Sequence, residues 1–190
     1  MKFLKPLLLS FLVVVFFTAT ANAQRKQKIN LKKSKIEWTG KKLFTSHNGT
    51  ISFKSGILYF SGKIPVGGDF VVDMQTINTT DLKGKSKDKL DTHLKSNDFF
   101  DATQYPESSL VFRNMEPSEE PGAYFVTADL TIKGITHPIN FELRLNKVGA
   151  SATLVVNRTL YDIKYASTSI GMIADKAISD GFELNVAMVY

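Results

Sequence analysis

The sequence predicts an all-β chain with one short helical insert, its strands antiparallel and closed either as a sandwich or as a barrel. Three observations predict it. Eight or nine segments alternate apolar and polar residues with a period of two. No helical crossover separates them, which removes a parallel sheet. The chain has 21 aromatic residues, 17 of them after residue 23 and mostly Phe and Tyr, types that suit a pleated, half-buried surface.

The first element is one that export would remove. Lys2 and Lys5 form a positive start, Leu7 to Phe17 is apolar except for Ser10, and Ala21-Asn22-Ala23 is a small-x-small cleavage site. This three-part pattern is a secretory signal peptide, 1–23. The apolar run is about half the ~20 residues a membrane span needs. Cleavage near Ala23 leaves a chain that starts at Gln24, expected in the periplasm or secreted. A basic lead-in follows, 24–35, with six cations and no acid between Arg25 and Lys35. Residues 36–190 form a single domain, large enough to fold without disulfides.

The strands begin with Ile36 to Thr39. Asn48 to Phe60 reads as a hairpin, with Ser55-Gly56 as its turn and Ile57 to Phe60 as the return strand. Gly67-Gly68 reads as a second turn, and Asp69 to Met74 as the strand after it. Leu90, His93 and Leu94 stand at i, i+3, i+4 and predict a short amphipathic helix. Ser96 is placed to start a further turn through Phe100, and Tyr105-Pro106 stops it. Leu110 to Phe112, Tyr124 to Ile132, Ile139 to Leu145 and Thr153 to Val156 are strands. The chain ends on Phe182, Leu184, Val186, Met188 and Tyr190, which alternate with Glu183, Asn185, Ala187 and Val189. Such an apolar terminal strand is expected to be paired, since an exposed edge invites aggregation.

Several chemistries find no support. With no cysteine there is no disulfide, no thiolate nucleophile, no iron–sulfur cluster and no acylated anchor. There is no G-x-S-x-G elbow and no phosphate-binding glycine motif. His47, His93 and His137 lie in a loop, a helix and a turn, without the spacing that sets metal ligands on one face. Asp73, inside an apolar strand, is read as facing outward or as hydrogen-bonded. Asn48, Asn78 and Asn157 each open an Asn-x-Thr sequence, which matters only in a host that glycosylates there. No catalytic residue, metal or cofactor is assigned.

Several stretches converge on one family. They are Gly40-Lys41-Lys42 with Ser46-His47-Asn48-Gly49, Phe70 to Met74 leading to Ile77, Leu90 to Asp101 closing on Tyr105-Pro106, Leu130 to Thr136 with Pro138, and Asn157-Arg158-Thr159. The most specific is His93-Leu94-Lys95-Ser96-Asn97-Asp98-Phe99-Phe100-Asp101. In this the chain resembles the YceI-like family of exported polyisoprenoid-binding proteins, in order, over essentially all of the sequence after residue 23. After Asn-Arg-Thr the family tends to have Phe-Gly; this chain has Tyr161-Asp162.

The resemblance implies a lipocalin-like, extended antiparallel β-barrel of about eight strands with a helix at one end. It implies an apolar lumen that holds a long isoprenoid chain, either a polyprenyl phosphate or the tail of an isoprenoid quinone, for transport, storage or sequestration. Phe53, Phe70, Met74, Leu94, Phe99, Phe112, Ile132, Phe141, Met172 and Phe182 are the expected lumen residues. His93, Arg158 and Tyr161 are the expected head-group residues at the mouth, with Arg158 able to donate to a phosphate or quinone oxygen. Burying each CH₂ is worth ~0.8 kcal/mol, so a deep apolar tunnel suffices for affinity, and a few polar groups suffice for orientation. Two other readings stand beside this one. In one, His93 with Asp98 or Asp101 acts on a small amphipathic substrate. In the other, a structural or stress-related envelope protein has a lumen filled by its own side chains.

The charge narrows the partners. The whole chain carries +6, from 24 Lys+Arg against 18 Asp+Glu. The signal takes two lysines, Arg25 to Lys35 takes six cations, and Lys83, Lys85, Lys87 and Lys89 take four more, read as a solvated loop. What remains is acidic. Nucleic acid is therefore excluded as a partner. The expected partners are an isoprenoid lipid and, transiently, an anionic membrane surface facing the basic segments. A homodimer is compatible with all of this.

Overall fold

A computed structural model describes residues 24–167 and 177–190. The expected signal peptide, 1–23, lies outside the described residues, and so does Met172. The elements in order are β1 (Gln24–Lys28), β2 (Lys35–Lys42), β3 (Ser46–Ser61), β4 (Ile64–Thr79), α1 (Gly84–Lys95), β5 (Glu107–Pro117), β6 (Ala123–Ile132), β7 (Ile135–Leu145), β8 (Gly149–Asn157) and β9 (Ile178–Val189). A single 3₁₀ turn, Arg158–Tyr161, follows β8. No described helix is long and apolar enough to cross a membrane.

Eight of the nine strands close a ring in the order β3-β2-β9-β8-β7-β6-β5-β4, and β4 returns to β3. Every pairing is antiparallel. The chain is thus a closed eight-stranded barrel, and the sandwich is ruled out by the β2–β9 and β3–β4 pairings together. β9 is paired on both sides, with β2 and β8, so the apolar terminal strand presents no free edge.

Three local readings change. The basic lead-in keeps its side chains mostly exposed but begins with a strand. Gln24–Lys28 pairs with Ile57–Ser61 of β3, and Ile29 behind it is buried. The hairpin centred on Gly56 does not exist. β3 runs straight through for 16 residues, because Gly56 answers a packing need. A Cβ there would lie 2.6 Å from Ile29 Cδ1 and 2.8 Å from Phe70 Cδ1. Gly67-Gly68 is likewise internal to β4, and a Cβ on Gly68 would meet the Phe70 and Phe112 rings. The real turn is Gly62-Lys63, where Gly62 takes φ of +61°, the two-residue hairpin geometry that glycine favours.

The lysines of 83–89 are also placed differently. Lys85, Lys87 and Lys89 belong to α1, with Lys83 at its N-cap. His137 is not in a turn but in β7, where its Nε2 lies 3.0 Å from the Leu160 carbonyl. The further turn after α1 forms over residues 96–100, where the Ser96 carbonyl accepts from the N–H groups of Phe99 and Asp101.

One seam of the barrel is open. β7 and β8 pair over only three positions, Leu143 to Leu145 against Ala150 to Ala152. Beyond them the two strands splay, and the 3₁₀ turn contacts both flanking strands, β7 and β9. The Tyr161 ring meets His137 edge-on at 5.4 Å and packs with Val156 and Ile163. At Tyr161-Asp162, the departure from Phe-Gly, Asp162 adopts the left-handed conformation, φ 56° and ψ 33°. Aspartate tolerates that region better than most non-glycine residues.

Candidate functional site

Period-two alternation turns one row of each strand inward. Ile36 and Trp38 on β2, Ile51 and Phe53 on β3, Phe70, Val72 and Met74 on β4, and Leu110 and Phe112 on β5 all face one lumen. Phe141 and Leu143 face it from β7, Ala152 and Leu154 from β8, and Phe182, Leu184, Val186 and Met188 from β9. These rows enclose a cavity of about 460 Å³, within the ~300–1,000 Å³ range of ligand pockets. The lumen is therefore not filled by its own side chains. Phe182, Leu184 and Val186 are only partly buried, and they line the cavity.

The inner wall is aromatic. Phe53, Phe70, Phe112 and Phe141 form a chain with successive centroid separations of 6.2, 5.3 and 5.7 Å in tilted or edge-on pairs. Such pairs are rigid, carry no unsatisfied polar atom, and each contributes about 0.5–1.5 kcal/mol beyond burial. The one tryptophan, Trp38, donates its Nε1–H to the Thr50 carbonyl at 3.3 Å.

The other end is built from α1, the loop after it, and the β2–β3 connection. His93 packs edge-on against Phe99 at 5.0 Å and Tyr165 at 4.6 Å. Phe100 meets Phe182 edge-on at 6.0 Å. Lys41, Lys42, Thr45 and His47 enter the lining from β2, β3 and their connection, and Lys89, Leu90 and Leu94 enter it from α1. Two carboxylates fix this end. Asp81 lies 2.9 Å from His47 Nδ1 and accepts from the Asn48 N–H. Burial pushes its pKa up, but those two contacts outweigh burial and hold it below the ordinary aspartate value. Asp91 accepts from the Thr79 N–H at 2.8 Å and pairs with Lys87. Burial again opposes and the Lys87 and Thr79 contacts prevail, so its pKa is also lowered.

Among the described residues the lining contains four cations, Lys41, Lys42, Lys89 and Arg158, and two imidazoles, but no Asp or Glu. This asymmetry is the main electrostatic feature of the site. Among the described residues no group of three or more His, Asp or Glu is placed to hold a metal.

Phe53, Phe70, Met74, Leu94, Phe99, Phe112, Ile132, Phe141 and Phe182 all line the cavity, as do His93 and Arg158. Tyr161 does not. It is 2% exposed, because it fills the open β7–β8 seam. Arg158 has a role that spacing could not show. Its Nε, Nη1 and Nη2 donate to the carbonyls of Ser179, Ile163 and Ile178 at 2.9, 2.7 and 3.0 Å. Its guanidinium sits 5.7 Å over the Phe99 ring, and Asp180 stands 3.7 Å away. It acts as a brace between the 3₁₀ turn and the start of β9. The residues missed were Lys41, Lys42, His47 and Lys89. The first three were legible in the Gly40 to Gly49 stretch, but nothing local showed that α1 would be folded against that connection.

A YceI-like domain profile matches residues 27–190. Similar proteins include Protein YceI of Shigella flexneri, 32% identical over 97 residues, or 51% of this chain and 48% of that one. A UPF0312 protein of Pseudomonas putida is 28% identical over 127 residues, 62% and 64% of the two chains. The match thus spans about half the length of the first relative. Among solved structures, BcnA of Burkholderia cenocepacia has a TM-score of 0.68 at 20% identity, covering 85% of this chain and 99% of that one. A Campylobacter jejuni YCEI protein has a TM-score of 0.55 at 16% identity, covering 93% and 88%. At these identities the structural likeness is one of fold. The profile match over nearly all of the described barrel does more, and on it the chain belongs to the YceI-like family.

Proposed function

We propose that this is an exported lipid-binding protein that holds a long isoprenoid chain in the barrel lumen for transport, storage or sequestration. One observation carries the reading. The cavity has a continuous aromatic and aliphatic wall, while its lysines and imidazoles come from the β2–β3 connection and α1. A long apolar chain with one polar end has that same distribution. Each buried methylene adds ~0.8 kcal/mol without any directional contact. The lysines and imidazoles orient the head. Between a polyprenyl phosphate and a quinone, the four cations among the described lining residues favour the phosphate. The proposal includes no catalytic step, and what supports that choice is the packing of His93 between the Phe99 and Tyr165 rings. Export rests on the three-part pattern of residues 1–23.

The test is native mass spectrometry of protein purified gently from its own host, followed by lipid extraction. A co-purifying prenyl lipid is expected, together with saturable binding of a polyprenyl phosphate by delipidated protein. A protein that is empty on purification and binds no prenyl lipid on titration would overturn the reading.

A further inference from the structure

The β2–β3 connection carries two large apolar side chains that nothing in the barrel covers. Phe44 is 85% exposed and Leu43 57% exposed. They stand side by side at the tip of a hairpin whose stems are tied down, because Lys42 N–H donates to the Thr45 carbonyl and His47 is held by Asp81. Other large exposed hydrophobics include Leu31 before β2, Ile64 and Val66 at the start of β4, and Phe125, Val148 and Val155 on β6, the β7–β8 turn and β8.

Charge surrounds this tip. Lys41 and Lys42 precede it, and both are exposed. α1 faces the same opening, since Lys89 lines the cavity together with Lys41 and Lys42, and Lys83 and Lys85 are exposed on the same helix. On α1 and the segment before it, Asp81 and Asp91 are engaged by His47 and Lys87 and Asp88 is exposed, while Asp180 and Glu183 lie on β9 beside β2. An exposed aromatic–aliphatic pair inside a lysine cluster matches the water–hydrocarbon boundary of a bilayer, where apolar side chains enter and cations meet anionic head groups.

We infer that Leu43 and Phe44 are a membrane-inserting wedge that docks the mouth of the barrel on the surface of a bilayer containing anionic phospholipid. The tip and the mouth are one structure, because Lys41, Lys42 and Thr45 on either side of the wedge line the cavity. Docking therefore sets the lumen opening against the lipid, and an apolar chain moves between bilayer and lumen without crossing water. The contact is reversible, since two side chains and a few lysines bury far less than a spanning helix. This goes beyond lipid binding itself, and the two are separable by experiment.

The experiment uses the chain from Gln24 with sucrose-loaded vesicles of pure phosphatidylcholine or of phosphatidylcholine with 30% phosphatidylglycerol. Wild type should sediment with the anionic vesicles and only weakly with the neutral ones, and the binding should fall as salt rises. The double change Leu43→Ser and Phe44→Ser should lower anionic-vesicle binding by about tenfold or more. Changing both Lys41 and Lys42 to Gln should lower it by roughly fivefold per lysine. The serine variant, whose two positions lie outside the lining, should still bind a detergent-dispersed polyprenyl phosphate, which separates loss of docking from loss of the lumen. Fluorescence gives a second reading, since Phe44→Trp should shift to the blue on anionic vesicles while Phe125→Trp should not. Wild type that ignores anionic vesicles, or a serine variant that binds them as wild type does, overturns the inference. So does a sedimentation analysis in which the serine variant converts a dimer to a monomer with no vesicle binding by either form, which would assign the wedge to a second copy of this chain.

Discussion

Arg158 is 2% exposed and carries three backbone carbonyls from two separate segments. Burial lowers its pKa from the ordinary arginine value, and Asp180 works against that fall. A charge in such a place is kept by its hydrogen bonds rather than by its ion pair. Arg158→Ala should cost about 2–4 kcal/mol in urea unfolding. Arg158→Lys should recover little, since an ammonium cannot span three acceptors set for a planar fork. A loss under about 1 kcal/mol for the alanine variant would argue against the brace.

Asp91 makes the complementary case on α1. It closes the buried Thr79 N–H and pairs with Lys87. Its folded pKa lies below the ordinary aspartate value, so the stability it contributes is present above about pH 4 and lost as pH falls through the lowered value. Asp91→Ala should cost about 1–2 kcal/mol at pH 7. The gap between the variant and wild type should shrink below pH 4, because wild type then loses its carboxylate too. A gap that stays constant from pH 7 to pH 3 would show that Asp91 acts by packing alone.

At the scale of elements, strand identity was legible and strand ends were not. The alternation of β9 showed in the sequence, and so did the helical spacing of Leu90, His93 and Leu94. Glycine misled, because a turn and a close approach leave the same residue. Gly62 makes a turn, whereas Gly56 on β3 makes room for the Phe70 ring of β4 and Gly68 on β4 for the Phe112 ring of β5, so the room is required by rings on neighbouring strands. Gly49 is a further instance. A Cβ there would stand 2.1 Å from the Asn78 carbonyl oxygen and 2.5 Å from Trp38 Cζ2. Since one of those atoms is backbone, β3 and β4 would have to part. Gly49→Ala should cost about 3 kcal/mol by thermal or denaturant unfolding, and a variant as stable as wild type would show that the two strands are not so close.

At the scale of the whole molecule, closure came from pairings that span the chain. β2 pairs with β9, about 145 residues later, and no local pattern distinguishes that from a sandwich. For the same reason the apolar lumen residues were legible from alternation and resemblance, while the joining of Lys41, Lys42 and Lys89 at one opening was not. The closed ring also makes a global prediction about the proposed ligand. A chain seated in the lumen touches β2 through β9 at once, so its binding energy stabilises the whole barrel and not one element. At a free ligand concentration 100 times Kd, that linkage is worth ~2.7 kcal/mol. For a domain of this size it should raise Tm by about 5–10 °C. Delipidated protein should show that shift with a polyprenyl phosphate and a clearly smaller one with the corresponding polyprenol, which keeps the chain and lacks the charge. Inorganic phosphate alone should give almost none, because the lysine end by itself buries no apolar surface. A shift as large with phosphate as with the lipid would place the binding energy in the lysines and leave the aromatic wall without a role.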